Sequence, residues 1–199
     1  MMVLLIMSSF SLLSSVISQI MNFMMQICPQ TKDIVNHLVE NFFVVAERQL
    51  SPGELSFLHL LFNDLVRFIG DDFSPVRPEL CKEYPTNYCI SQQINGKFSI
   101  RTYIDMPEST CIAFASRYVD EDFNSFDEYV QSSLEDFLNL HNGLFNVNMS
   151  NEQGLELQLD VPNVVTDELI TFEHEAYLLP VVYSFGTIHF IFELIHNEL

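Results

Sequence analysis

The chain has 199 residues, 48% of them apolar, with 18 Phe and 7 Tyr, enough for a sizeable core and unlike a disordered or fibrous chain. Its 27 Asp and Glu outweigh 8 Lys and Arg, for a net charge of −19, and the sixteen carboxylates after Arg117 share that stretch with no Lys or Arg. Binding a phosphate backbone needs the opposite sign, which argues against direct recognition of nucleic acid and of anionic membrane surfaces. A solvated acidic surface is the plain reading, and a partner patch would be cationic or metal-bearing.

No charged residue precedes Lys32, yet a secretory signal would want a basic start. Ser8, Ser11, Ser15, Ser18 and Asn22 recur in steps of three and four, a polar stripe that a lipid-facing helix does not need. The expectation is a packed amphipathic helix in a cytoplasmic protein, not a membrane span. Residues 1–50 read as a helical extension of two helices broken near Pro29, the second carrying Ile34, Leu38, Phe42 and Val45 on one side. Residues 51–199 read as one domain.

Ser51 with Glu54 three residues on, and Pro52 between, has the form of a capping box that opens a helix to about Gly70. Prolines 75, 78 and 85 mark an irregular connection up to Tyr88. Asn95-Gly96 predicts a two-residue hairpin turn, since Phe98, Ile100, Thr102, Ile104 and Met106 alternate behind it with Ser99, Arg101, Tyr103 and Asp105. Helices are predicted from Glu108 to about Val119 and from about Ser125 to Asn146. Leu155, Leu157, Leu159 and Val161 alternate with Glu156, Gln158 and Asp160, as a half-buried strand would. A last hairpin joins Ala176–Tyr183 to Phe185–Leu194 around Ser184-Phe185-Gly186, with Pro180 pointing to an edge or bulged first arm. This order predicts an α+β fold: an antiparallel sheet of about six strands with helices packed on one face.

The four cysteines contain no CxxC pair and read as reduced core thiols. His189-x-x-x-Glu193-x-x-His196 lacks the HExxH order and starts on a strand, so no metal site is expected.

On the helix predicted over 125–146, steps of about 100° gather Phe126, Val130, Leu134, Phe137, His141 and Leu144 on one face. Ser125, Glu128, Ser132, Asp136, Asn139 and Gly143 fall opposite. A carboxylate, a carboxamide and a residue without a side chain thus line up at i, i+3 and i+7, and a partner could approach the backbone closely at Gly143. The pattern acid-x-x-Asn recurs at Asp33, Glu121 and Asp160, but only the copy at Asp136 is followed by this Gly.

Asp136-Phe137-Leu138-Asn139-Leu140-His141-Asn142-Gly143 resembles the helix motif of the CheX and CheC chemotaxis phosphatases. LFNVNMSNEQGLELQLDVPNVV is similar to that family's passage into a strand ending in Pro, and PVVYSFGTIHFIFEL looks like its final hairpin. The resemblance implies a phosphatase acting on the aspartyl phosphate of a CheY-like response regulator. It implies no cofactor of the chain's own, because the regulator supplies Mg²⁺ and a lysine beside its phosphate. Asp136 would pair with that lysine, and Asn139 would orient the attacking water. Ser132 and Glu135 would join Gly143 as binding residues. The family's acid is usually Glu, and Asp136 is one methylene shorter; Glu135 is a substitute about 100° round the helix. The alternative is a non-catalytic CheX-like module for interaction or dimerisation, a homodimer being one partner that the resemblance allows.

Overall fold

The computed structural model describes residues 35, 36, 39 and 51–195. The stripe from Ser8 to Asn22, most of the second N-terminal helix and His196 lie outside them. Val35, Asn36 and Val39 are helical, and the two valines are buried in the core. Among the described residues no helix is long and apolar enough to cross a membrane.

Helix α1 (Pro52–Phe68) starts where the capping box predicts: Ser51 Oγ accepts from the Glu54 amide at 3.3 Å, and the Ser51 amide donates to the Glu54 carboxylate at 2.7 Å. Its apolar stripe, Phe57, Leu58, Leu61, Phe62 and Leu65, is wholly buried. Two short strands follow, β1 (Phe73–Pro75) and β2 (Glu79–Pro85), then β3 (Tyr88–Asn95) and β4 (Ser99–Met106). After helix α2 (Glu108–Val119) comes α3 (Glu128–Gln153), and the chain closes with β5 (Gln158–Leu159), β6 (Asn163–Thr166), β7 (Leu169–Tyr183) and β8 (Gly186–Ile195). Asp127 caps α3 by accepting from the amides of Tyr129 and Val130, and Gly154 ends it in the left-handed conformation, φ 65°.

All strand pairs are antiparallel in one sheet of order β1-β7-β8-β4-β3-β5, with β2 also on β7 and β6 also on β3. The α+β class with an antiparallel sheet is as predicted, but the strands number eight, not about six. Two of the additions come from the proline-marked segment expected to be irregular. Pro75 and Pro85 each stand at the last position of their strand, where a missing N–H costs little, and β7 supplies the partner.

Other expectations shift for local reasons. Phe98 packs into the core against Phe145 at 6.5 Å, so the first hairpin turns through Gly96-Lys97-Phe98 and not through Asn95-Gly96 alone. The last hairpin turns at Ser184-Phe185, with Tyr183 opposite Gly186. Pro180 is in a strand paired on both sides, not on an edge, and that strand is bulged farther back, between Thr171 and Ala176. The Pro180 carbonyl accepts from the Val76 amide, so its absent N–H faces the same side, at the gap between β1 and β2. The strand expected over Leu155–Val161 shrinks to Gln158–Leu159. Leucines 155, 157 and 159 are still half-buried and their neighbours exposed, but β3 ends at Asn95, leaving residues 155–157 no strand to join.

The helix-facing side of the sheet carries Ile90 and Ile94 of β3, Ile100 and Ile104 of β4, and Phe190 and Phe192 of β8. On the other face a smaller core forms around Cys89, Tyr103 and Ile191, closed by Tyr84 and Phe172 from the bulged β2–β7 arm. Here buried Asp105 accepts from the Tyr84 hydroxyl at 2.7 Å and from the backbone and side chain of Asn87 at 2.7 and 3.0 Å. Cys89 and Cys111 are fully buried free thiols, and burial pushes the Cys111 pKa up to about 12.

The passage at Gly96 is tight, because an added Cβ would stand 2.8 Å from the Glu156 carbonyl oxygen and 2.6 Å from Leu157 Cδ2. Gly96→Ala should therefore destabilise the fold by about 1–3 kcal/mol, as an overpacked site does. Urea denaturation at unchanged m-value measures the loss.

Candidate functional site

The exposed face of α3 and the loop after β5 form the two walls of a groove of about 430 Å³, lined among others by Ser132, Asp136 and Asn139 on one side and by Asp160, Val161 and Pro162 on the other. Helix α3 is set by what it buries: Val130, Leu134, Phe137, Leu138, Phe145 and Met149 are all 0–1% exposed. His141 is buried among them as the helical spacing predicts, its Nδ1 2.9 Å from the Asp64 carboxylate of α1. Phe126 precedes the helix and packs on Tyr88 at 4.5 Å. With that side anchored, Ser132, Asp136 and Asn139 are exposed together, and Glu135 is half-buried with Gln131 donating to it at 2.8 Å.

Asn139 is exposed, yet its oxygen is held from below. Gln92 of β3, only 2% exposed, donates from Nε2 to Asn139 Oδ1 at 2.8 Å and to the Asp160 carbonyl at 2.8 Å. Asn142, fully buried one turn after Asn139, donates from Nδ2 to Gln92 Oε1 and to Thr102 Oγ1, both at 2.8 Å. The Thr102 hydroxyl donates back to the Gln92 carbonyl at 3.0 Å. This chain leaves the Asn139 amino group facing the groove.

Asp136 is also held, by the Tyr118 hydroxyl of α2, which donates to Oδ2 at 2.6 Å. Burial first, and then the Asp136 carboxylate, push the Tyr118 pKa well above the usual phenol range, so Tyr118 stays a donor throughout the physiological range. Tyr88 beneath Glu135 is raised to about 12, chiefly by burial and then by Cys111 and Glu135.

Gly143 is half-buried and is placed under Leu159, whose Cδ1 lies 4.0 Å from the position of an added Cβ. The gap on the helix is thus faced from within the chain. None of the groove-lining residues is basic, and among the described residues no cluster of His, Cys, Asp and Glu could hold a metal ion. His189 is engaged by Tyr84, while the Glu193 carboxylate accepts from the His174 amide at 2.8 Å and lies 3.8 Å from Arg101.

Gln92, Asn142 and Tyr118 are given no role by the sequence. The signal for Gln92 was its even spacing between Ile90 and Ile94 on the core face, directly opposite Thr102, which itself interrupts the apolar face of β4. Asn142 sits beside the buried His141, and Tyr118 gives no sequence signal.

Residues 88–186 match the family model of the chemotaxis phosphatase CheX. Among solved structures, a chemotaxis protein CheX from Desulfovibrio desulfuricans aligns with 16% identity and a TM-score of 0.61, over 72% of this chain and 99% of that one. A CheC-like superfamily protein from Shewanella sp. PV-4 aligns with 18% identity and a TM-score of 0.63, over 75% and 100%. A complex of CheX with CheY, BeF₃ and Mg²⁺ from Borrelia burgdorferi aligns with 18% identity and a TM-score of 0.61, over 71% of this chain and 96% of that one. Among curated proteins, none matches the chain.

An alanine at 143 gains helix propensity and meets only the ordinary contact with Leu159. Gly143→Ala is accordingly expected to stabilise the protein by about 0.5–1 kcal/mol, read as a higher midpoint in thermal unfolding.

Proposed function

Because the chain is a CheX-like member of the chemotaxis phosphatase family, we propose that it hydrolyses the aspartyl phosphate of a CheY-like response regulator in the cytoplasm. One observation carries this reading: an exposed carboxylate and an exposed, fixed carboxamide stand one turn apart in a groove without a basic lining residue. Such a surface has no means of gripping phosphate alone. It suits a partner that brings its own cations, namely a regulator holding Mg²⁺ and a lysine next to its phosphorylated aspartate.

In the proposed reaction Asp136 pairs with the regulator's lysine through the oxygen that Tyr118 does not occupy. The Asn139 amino group donates a hydrogen bond that fixes a water in line with the phosphorus–oxygen bond to be broken. Attack by that water forms the new P–O bond and releases inorganic phosphate and the regulator's free carboxylate. The water's protons end on the products. Val161, 85% exposed at the far wall, and Tyr129, 66% exposed one turn before Ser132, supply apolar contact area beside the acid and the amide. Ser132 and Glu135 contribute to the same docking surface.

The test is dephosphorylation of the response regulators of the same genome, with and without this protein. Asn139→Asp keeps an oxygen for Gln92 but removes the outward N–H donors, and should leave fold and melting temperature intact while abolishing accelerated loss of phosphate. Asn139→Ala should also be inactive, but it strips Gln92 of one acceptor and costs about 1 kcal/mol of stability. That exceeds the less than about 0.5 kcal/mol expected of an ordinary exposed position. Full activity in either variant would refute the mechanism.

The Tyr118 hydrogen bond on a shortened acid favours one alternative, a non-catalytic module that binds regulators without hydrolysing their phosphate. Asp136→Ala should weaken regulator binding under both readings. Asp136→Glu separates them: added length should raise hydrolysis in a phosphatase and change nothing in a module that does not catalyse.

A further inference from the structure

Gln92 touches both walls of the groove with a single nitrogen, and the polarity of the whole amide chain follows from one of those contacts. The Asp160 carbonyl can only accept, so the Gln92 atom facing it must be Nε2. The second hydrogen of that nitrogen reaches Asn139, whose facing atom must then be its oxygen. Gln92 Oε1 in turn accepts from Asn142 Nδ2, which also donates to Thr102 Oγ1. A backbone acceptor in the loop after β5 therefore sets which end of the Asn139 carboxamide faces the groove.

The arrangement is not what stability alone would select. Gln92, Thr102 and Asn142 are 2%, 2% and 0% exposed, in the apolar layer between sheet and helix. Among the described residues Asn142 Oδ1 has no hydrogen-bond partner, and an unsatisfied buried acceptor is costly. An apolar trio of similar volume would avoid that cost. The same three residues, however, lock an exposed side chain that would otherwise rotate freely, and they tie it to the opposite wall.

We propose that Gln92 is a positioning residue, which turns the Asn139 amino group outward and fixes its distance from the Asp160–Pro162 wall. The proposal rests on the phosphatase reading for its effect on turnover, but not for the orientation itself. Gln92 touches no substrate; it acts through Asn139.

Two variants and one measurement on the unaltered protein test it. Gln92→Met removes the donor at similar volume, and Gln92→Glu replaces the donor by an acceptor, which should draw the Asn139 amino group inward. Each should lower kcat against the phosphorylated cognate regulator by about tenfold to a hundredfold. Affinity for the same regulator loaded with fluoroberyllate should stay within about twofold of the unaltered protein, because no docking residue is replaced and the Asp160 amide still holds its wall to β3 through the Gln93 carbonyl. In amide NMR spectra of the unaltered protein, the Gln92 side-chain NH₂ should exchange slowly with water and the Asn139 NH₂ rapidly. Gln92→Glu should protect the Asn139 NH₂.

An active wild type whose Gln92→Met and Gln92→Glu variants keep its kcat would overturn the positioning role and leave the phosphatase reading standing. Equal loss of affinity and kcat would overturn it too, as a general structural defect. A wild type inactive on every regulator would sink the phosphatase reading instead, and the spectra would then decide the orientation by themselves. A rapidly exchanging Gln92 NH₂ refutes that orientation, including where neither variant folds.

Discussion

Everything at the groove follows from how α3 lies on the sheet. A helix of this length can bury only one broad stripe, and here that stripe is drawn down by Phe137 and Phe145 against aromatic neighbours from α1, α2 and β8. Burial of a large aromatic side chain is worth about 1.5–3 kcal/mol, so several of them leave the helix no freedom to roll. Rotation by a single residue would take Asp136 and Asn139 out of line with the loop at Asp160. The exposed chemistry is thus held in place by the apolar side of the same helix, with the His141–Asp64 contact anchoring its middle to α1.

The acidic composition acquires a physical role on this frame. After Arg117 the chain has no Lys or Arg, and Arg117 itself is committed to Asp72 at 2.5 and 3.0 Å and to the ring of Phe185. The groove face therefore repels free anions. Under the proposed phosphatase reading, a phosphoryl group would be approached favourably only when it arrives already neutralised by cations, which is a form of selection by charge.

Local patterns made much of the fold legible in advance. The capping box at Ser51, the alternation in β4 and the spacing of Val130, Leu134, Phe137 and His141 each depend on neighbours close in sequence, and each appears as read. What stayed hidden depends on distant partners. β1 and β2 are strands because β7 runs beside them, although their prolines read as loop. Residues 155–157 alternate correctly but find nothing to pair with beyond Asn95. At the site, helical spacing put Asp136 and Asn139 together on the exposed face of α3, while the roles proposed for them came from the resemblance of their motif. Gln92 and Asn142 could not be found, since a carboxamide reads as surface until a second one is seen to satisfy it. Tyr118 reaches Asp136 only through the packing of α2 on α3.

The interruption of the outer strands bears on how this protein can meet others. One margin of the sheet is divided between three-residue β1 and a β2 that carries Glu79, Lys82 and Glu83 and pairs with a bulged stretch of β7, with Pro180 behind the gap. The other is divided between two-residue β5 and four-residue β6, parted by Pro162. Among the described strands, then, neither margin offers the long, flat, unpaired ladder that invites an extended peptide or a misfolded neighbour to add itself. Recognition is pushed away from main-chain zippering and onto side chains, where a single methylene or the sense of one amide can decide which partner is accepted.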